Sequence, residues 1–195
     1  MNRAAISVRF LLVTIQGGLV APLAALGVRP NHVTFAGFLI AAGSGYLVWE
    51  GSLQLAGALY LFGSSLDALD GALARRTGTT SVFGAFFDSL LDRASEGALL
   101  LGLAVYLAQA GDHAGVALTV AALSSSFLVS YARARGESLG VIVLSGIAPR
   151  TVRVLVLAVG LIAGVPLLAL GIVTAISTVT VVQRTVAVFR TPPPD

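Results

Sequence analysis

The 195-residue chain contains no cysteine and no lysine. The first absence excludes disulfides, thiolate metal sites and cysteine nucleophiles. The second means that all 12 basic side chains are arginine. Histidine is nearly missing as well: His32 and His113 are too few for a histidine-built metal site. Charge of either sign is scarce, 11% of residues against about 25% in a soluble domain. Hydrophobic residues instead make up 56% and the net charge is +3. The expected partners are therefore membrane lipids and not nucleic acid.

The N-terminus does not read as a cleavable signal. Arg3 and Arg9 are spaced through the first apolar residues, and no small-residue cleavage pattern follows a compact hydrophobic core. Residues 1–30 read instead as an amphipathic helix at the membrane surface followed by a link. Arg29-Pro30-Asn31-His32 reads as an extended link opening the first span, because proline disfavours helix in the residue before it. At the other end, residues 191–195 carry three prolines and are expected to fray.

Between these ends, residues 31–190 divide into runs of transmembrane length. A span needs about 20 apolar residues to cross a core of about 30 Å. Val33 to Trp49, Ser52 to Leu66, Gly84 to Ala110 and Ala114 to Ala132 are four such runs. Val154 to Gln183 is uncharged, but as one helix it would reach about 45 Å. Gly164-Val165-Pro166 near its middle divides it in two. The expected fold is thus all-α and integral to the membrane, a single domain of six spans. Arginines fall at every second connection, while the opposite connections hold Glu50 and Asp112 and no arginine. By the positive-inside rule this makes a multi-pass cell-membrane protein with both termini and the arginine-bearing face in the cytoplasm.

Within this apolar sequence stand four aspartates. Asp67 and Asp70 are three apart, Asp88 and Asp92 four apart, spacings that put each pair on one face of a helix. Carboxylates inside a membrane are costly and need partners or a wet cavity. Divalent cations would relieve the repulsion of four converging carboxylates, and oxygen-only ligands favour Mg²⁺ or Mn²⁺. Two such ions about 4 Å apart suit phosphoryl transfer. Gly71 leaves room for a ligand beside Asp70, Arg75 can grip a phosphate, and residues 77–81 form a short polar loop.

From Asp67 to Asp92 the sequence reads D-x2-D-G-x2-A-R-x8-G-x3-D-x3-D. This resembles the signature of the CDP-alcohol phosphotransferase family at every fixed position, and the six-helix layout resembles that family over nearly the whole chain. The resemblance implies transfer of a phosphatidyl or archaetidyl group from a CDP-lipid to an alcohol, with release of CMP. It implies that Asp67, Asp70, Asp88 and Asp92 hold two metal ions and that Asp92 is also the general base. It further implies that Asn31, His32, Val33, Thr34, Gly71, Arg75 and Ser81 bind the CDP-lipid donor, and that the protein is a homodimer.

For the acceptor, Ser130 to Glu137 and the run from Asp88 to Glu96 resemble the inositol-phosphate branch. That implies an acceptor phosphate held by Ser130, Arg133, Arg135, Arg150 and Arg184, and inositol 1-phosphate as the phosphorylated alcohol. Glycerol 3-phosphate is the alternative acceptor.

Other readings of the same residues stay open here. The aspartates could serve an ion- or proton-coupled transporter, or be two unrelated polar pairs in a bundle core. The arginines could mark topology and lipid headgroups alone, Arg153 and Arg190 above all. Ser130 could be a packing residue, and His32 interfacial. Arg93 and Glu96 are expected to pair with each other, and Tyr46, Trp49, Tyr60 and Tyr106 to anchor span ends at the interface.

Overall fold

The computed structural model describes residues 18, 20–143 and 145–191, and no strand occurs among them. The expected surface helix falls mostly, and the frayed tail almost wholly, outside these residues, although 20–25 are helical. Seven helices follow: α1 Pro30–Trp49, α2 Leu53–Ser65, α3 Asp67–Thr77, α4 Val82–Gln109, α5 His113–Ser138, α6 Arg150–Ile162 and α7 Pro166–Phe189.

Local chemistry sets these boundaries. Pro30 and Pro166 occupy first turns, where a missing N–H costs nothing. Of the link expected to be extended only Arg29 is, and Pro30, Asn31 and His32 are already helical. The side chains of Ser81 and Asp112 accept from the amides of Gly84 and Gly115, capping α4 and α5. Gly78, at φ 66°, closes α3 in the left-handed conformation that glycine adopts without strain. The turn expected at residues 164–166 separates α6 from α7. The second apolar run, however, does not end in a loop. Leu66 keeps right-handed helical angles and its amide donates to the Gly63 carbonyl. α3 is therefore a bent continuation of α2, and Asp67 and Asp70 sit in its first turn.

Helix packing closes a ring in the order α1, α4, α5, α7, α6, α2, with α3 leaning on α1. Leu99, Leu103, Leu157, Leu161 and Leu170 fill its interior. The α1–α2 seam is made by small residues: a Cβ on Gly63 would lie 2.6 Å from the Ala41 nitrogen. Only glycine permits that approach, and it brings the α2–α3 bend against α1. Tyr60 is fully buried in this core, which corrects its reading as an interfacial anchor. Tyr46 and Trp49 are exposed at the end of α1, ring edge to ring face.

Outward faces are apolar, with Leu101, Val120, Val159 and Val179 among the exposed side chains. Among the described residues α1, α5 and α7 are long and apolar enough to cross a membrane. α2 and α6, with 13 residues each, are shorter, and α4 carries its charges in its first half.

Candidate active site

The bend at Leu66 turns α3 so that its first turn faces α4. Asp67, Asp70 and Asp88 there each offer a carboxylate oxygen, and the three oxygens lie within 4.8 Å of one another. Asp70 is buried and the other two partly so. Among the described residues no histidine joins the group and the chain has no cysteine, so this all-carboxylate donor set fits a hard divalent cation such as Mg²⁺ or Mn²⁺.

Asp92 lies one turn further along α4, outside that triangle. One of its oxygens is 2.8 Å from Arg150 and the other 3.5 Å from Arg93. Arg150 also pairs with Asp67, so a single guanidinium from the first turn of α6 joins the two outer aspartates. It supplies positive charge where four carboxylates would otherwise repel.

Asp70 has a different partner. The Thr34 hydroxyl on α1 donates to its Oδ2 at 2.5 Å. Thr34, expected at the donor site, thus also orients an aspartate of the triad, the kind of support that outer-shell hydrogen bonds give to metal ligands.

Beside the triad is a cavity of about 250 Å³ between α1, α3 and the start of α4. Asn31, Thr34, Gly71, Arg75 and Ser81 line it together with Asp70 and Asp88. A Cβ on Gly71 would lie 3.4 Å from the Arg75 guanidinium, close to ordinary contact, so the two residues face the same part of the cavity. Ser81 lines the cavity while its Oγ caps α4. His32 and Val33 do not line it: Val33 packs with Val20 and Leu73 in a small core beneath.

The residues expected to hold the acceptor phosphate do not converge in one place. Arg150 is at the aspartates. Arg135 and Arg184 line a separate groove of about 450 Å³ between the ends of α5 and α7. Arg184 is nearly buried: its Nε donates to the Ser145 carbonyl at 3.0 Å, and a second nitrogen donates to the Val129 carbonyl. Arg133 pairs with Glu137 on the surface at 2.8 Å. The Ser130 hydroxyl points back to the Ser126 carbonyl of its own helix at 3.4 Å.

Two residues were misassigned. Glu96 does not pair with Arg93, which instead donates to the Ser89 carbonyl at 2.7 Å. Glu96 takes both its oxygens to Arg153, each at 2.9 Å. Arg153, expected to be a topology signal, is among the most buried side chains of the protein. The signal lay in the sequence: each is a charge inside or at the end of an apolar run, and such charges find each other.

Fold and site together define an all-helical membrane protein with a carboxylate cluster, able to hold a cation, beside a polar cavity. This chain belongs to the CDP-alcohol phosphatidyltransferase family, whose pattern it matches over residues 27–187. It is similar to archaetidylinositol phosphate synthase of Pyrococcus horikoshii, 38% identical over 163 residues, covering 83% of this chain and 84% of that one. It is also similar to the crystal structure of Mycobacterium tuberculosis phosphatidylinositol phosphate synthase with CDP-DAG bound. That match has a TM-score of 0.85 at 28% identity and covers 92% of this chain and 96% of that one. The same synthase in complex with manganese and citrate matches with a TM-score of 0.83 at 27% identity, covering 91% of this chain and 90% of that one.

Proposed function

We propose that this protein transfers the phosphatidyl or archaetidyl group of a CDP-lipid to inositol 1-phosphate, releasing CMP. The observation that carries the reading is the carboxylate triad opening onto the cavity walled by Asn31, Gly71 and Arg75. Relatives that match over most of the chain are an archaetidylinositol phosphate synthase and a phosphatidylinositol phosphate synthase.

Asp67, Asp70 and Asp88 would hold divalent ions, with Asp92 joining one of a pair. When bound, such ions neutralise the donor's pyrophosphate and stabilise the phosphate that leaves with CMP. Arg75, Asn31, Gly71 and Ser81 hold the donor's nucleotide end in the adjoining cavity, while its acyl or alkyl chains stay in the bilayer. Asp92 accepts the proton of the acceptor hydroxyl as that oxygen bonds to the lipid phosphorus. The bond from phosphorus to the bridging oxygen breaks, and CMP takes its electron pair. Arg150 is the arginine nearest this chemistry, and its fork suits the acceptor's phosphate.

The chain would act as one domain: a surface helix and link over 1–30, a bundle of six spans over 31–190 and a tail over 191–195. α2 with α3, α4 and α6 add three spans to the three most apolar helices. Both termini and the site face the cytoplasm, and two copies form a homodimer.

The test is CMP release from CDP-diacylglycerol with Mn²⁺ or Mg²⁺, with inositol 1-phosphate, glycerol 3-phosphate, serine and inositol offered in parallel. Release dependent on inositol 1-phosphate is expected. Release with glycerol 3-phosphate alone would move the protein to the other branch.

A further inference from the structure

α4 and α6 are not neighbours in the ring; they face each other across it. Two ion pairs nevertheless join them. Asp92 and Glu96 stand one turn apart on α4, and Arg150 and Arg153 one turn apart on α6, so the pairs stack as two rungs. The upper rung, Arg150 to Asp92, is partly exposed, with side chains 20% and 12% accessible. The lower rung, Arg153 to Glu96, is dry, at 2% and 1%.

The lower rung is also the better built. Arg153 meets the Glu96 carboxylate fork to fork, and its third nitrogen donates to the Ala148 carbonyl at 3.1 Å. Ala148 ends the segment that leads into α6. Its own amide donates to Thr180 of α7 at 2.9 Å. The start of α6 is thus fixed on both sides just before Arg150.

We infer that Glu96 and Arg153 are positioning residues, a dry strut across the ring that sets the height and rotation of α6 so that Arg150 meets Asp92. Neither touches substrate. They act through Arg150, and the inference rests on the reaction proposed above. A buried ion pair adds little net stability over well-packed apolar side chains, so stability alone does not account for placing one here. An error of about 1 Å in a positioned group can cost about 10²-fold in rate.

The double variant E96M/R153M separates positioning from folding. Its thermal unfolding in detergent should occur at or above the native temperature. Its kcat for CMP release should fall by about 10²-fold, and KM should rise for the acceptor but not for the CDP-lipid. Native kcat and acceptor KM would overturn the inference, as would an equal rise in both KM values. Where E96M/R153M does not fold, R153K takes its place, with the same two KM values as the readout. A second measurement needs no turnover: R150A should lower the melting temperature of the native chain but not that of E96M/R153M, or of R153K in its place. Additive losses would show that the rungs are independent and end the proposal. Absence of CMP release from the native protein would reject the proposed reaction alone, and this coupling would still decide the strut.

Discussion

Arg150 bridges Asp92 on α4 and Asp67 at the start of α3, and its contact with Asp92 measures 2.8 Å. One guanidinium therefore links an aspartate of the triad to the aspartate that stands outside it. Replacing it by alanine removes a phosphate-binding fork and leaves two carboxylates facing each other. R150A is expected to raise the acceptor's KM well above the donor's. R150K, which keeps the charge without the fork, should recover only part of the loss. Steady-state kinetics with each substrate varied in turn would measure both, and equal changes in the two KM values would remove Arg150 from the acceptor site.

Asp92 stands outside the triad of Asp67, Asp70 and Asp88, so its loss should separate chemistry from binding. D92N is expected to lower kcat by about 10²–10⁴-fold, the usual worth of a general base. Fold and CDP-lipid binding should be largely kept. Substantial CMP release by D92N would show that another group takes the proton.

Thr34 supports Asp70 from a different helix, through the hydrogen bond at 2.5 Å. T34V keeps the shape and removes the donor. Mn²⁺ affinity is expected to fall by about 10–100-fold, measured by titration calorimetry on the purified protein. An unchanged affinity would show that Asp70 is oriented without it.

Metal should also be visible in stability. An ion that binds only the folded state adds about 2.7 kcal/mol at 100 times its Kd. Melting temperature is therefore expected to rise with Mn²⁺ and to fall on chelation with EDTA. A triad variant such as D70N should lose most of that response, and a response equal to the native one would place the ion elsewhere.

Gly63 tests how the bend is positioned. A Cβ there would meet the backbone of α1, 2.6 Å from the Ala41 nitrogen. G63A is expected to cost about 1–3 kcal/mol by overpacking and to weaken Mn²⁺ binding, because Asp67 lies four residues on. Denaturation and metal titration of the one variant would show whether the two losses travel together.

Much of this was legible in advance because membranes make sequence plain. The end of α1, the start of α5 and the α6–α7 turn follow from apolar runs closed by Gly, Pro and charge, whereas α5 continues six residues past its apolar run to Ser138. The bend at Leu66 was not legible, since leucine there is an ordinary helical residue and the close approach of Gly63 to Gly37 beside it involves a separate helix. Tyr60 misled because tyrosine at a span end is usually an interfacial anchor, and nothing local says that its neighbours will enclose it. Glu96 misled because Arg93 is its neighbour on the helix, while its partner is 57 residues away.

The sequence by itself determined the class of chemistry. Four carboxylates at helical spacing in an apolar chain without cysteine leave few uses but a hard cation, and the glycines and arginine around them complete a family pattern. Only the tertiary structure decided which aspartates share a centre and which one stands apart with Arg150. It also separated Arg150 at the site from Arg184, spent on backbone carbonyls, and from Arg153, spent on Glu96. The physical reason is range. Helical spacing places residues along one element, but the partner of a buried charge is chosen by how distant helices close around it.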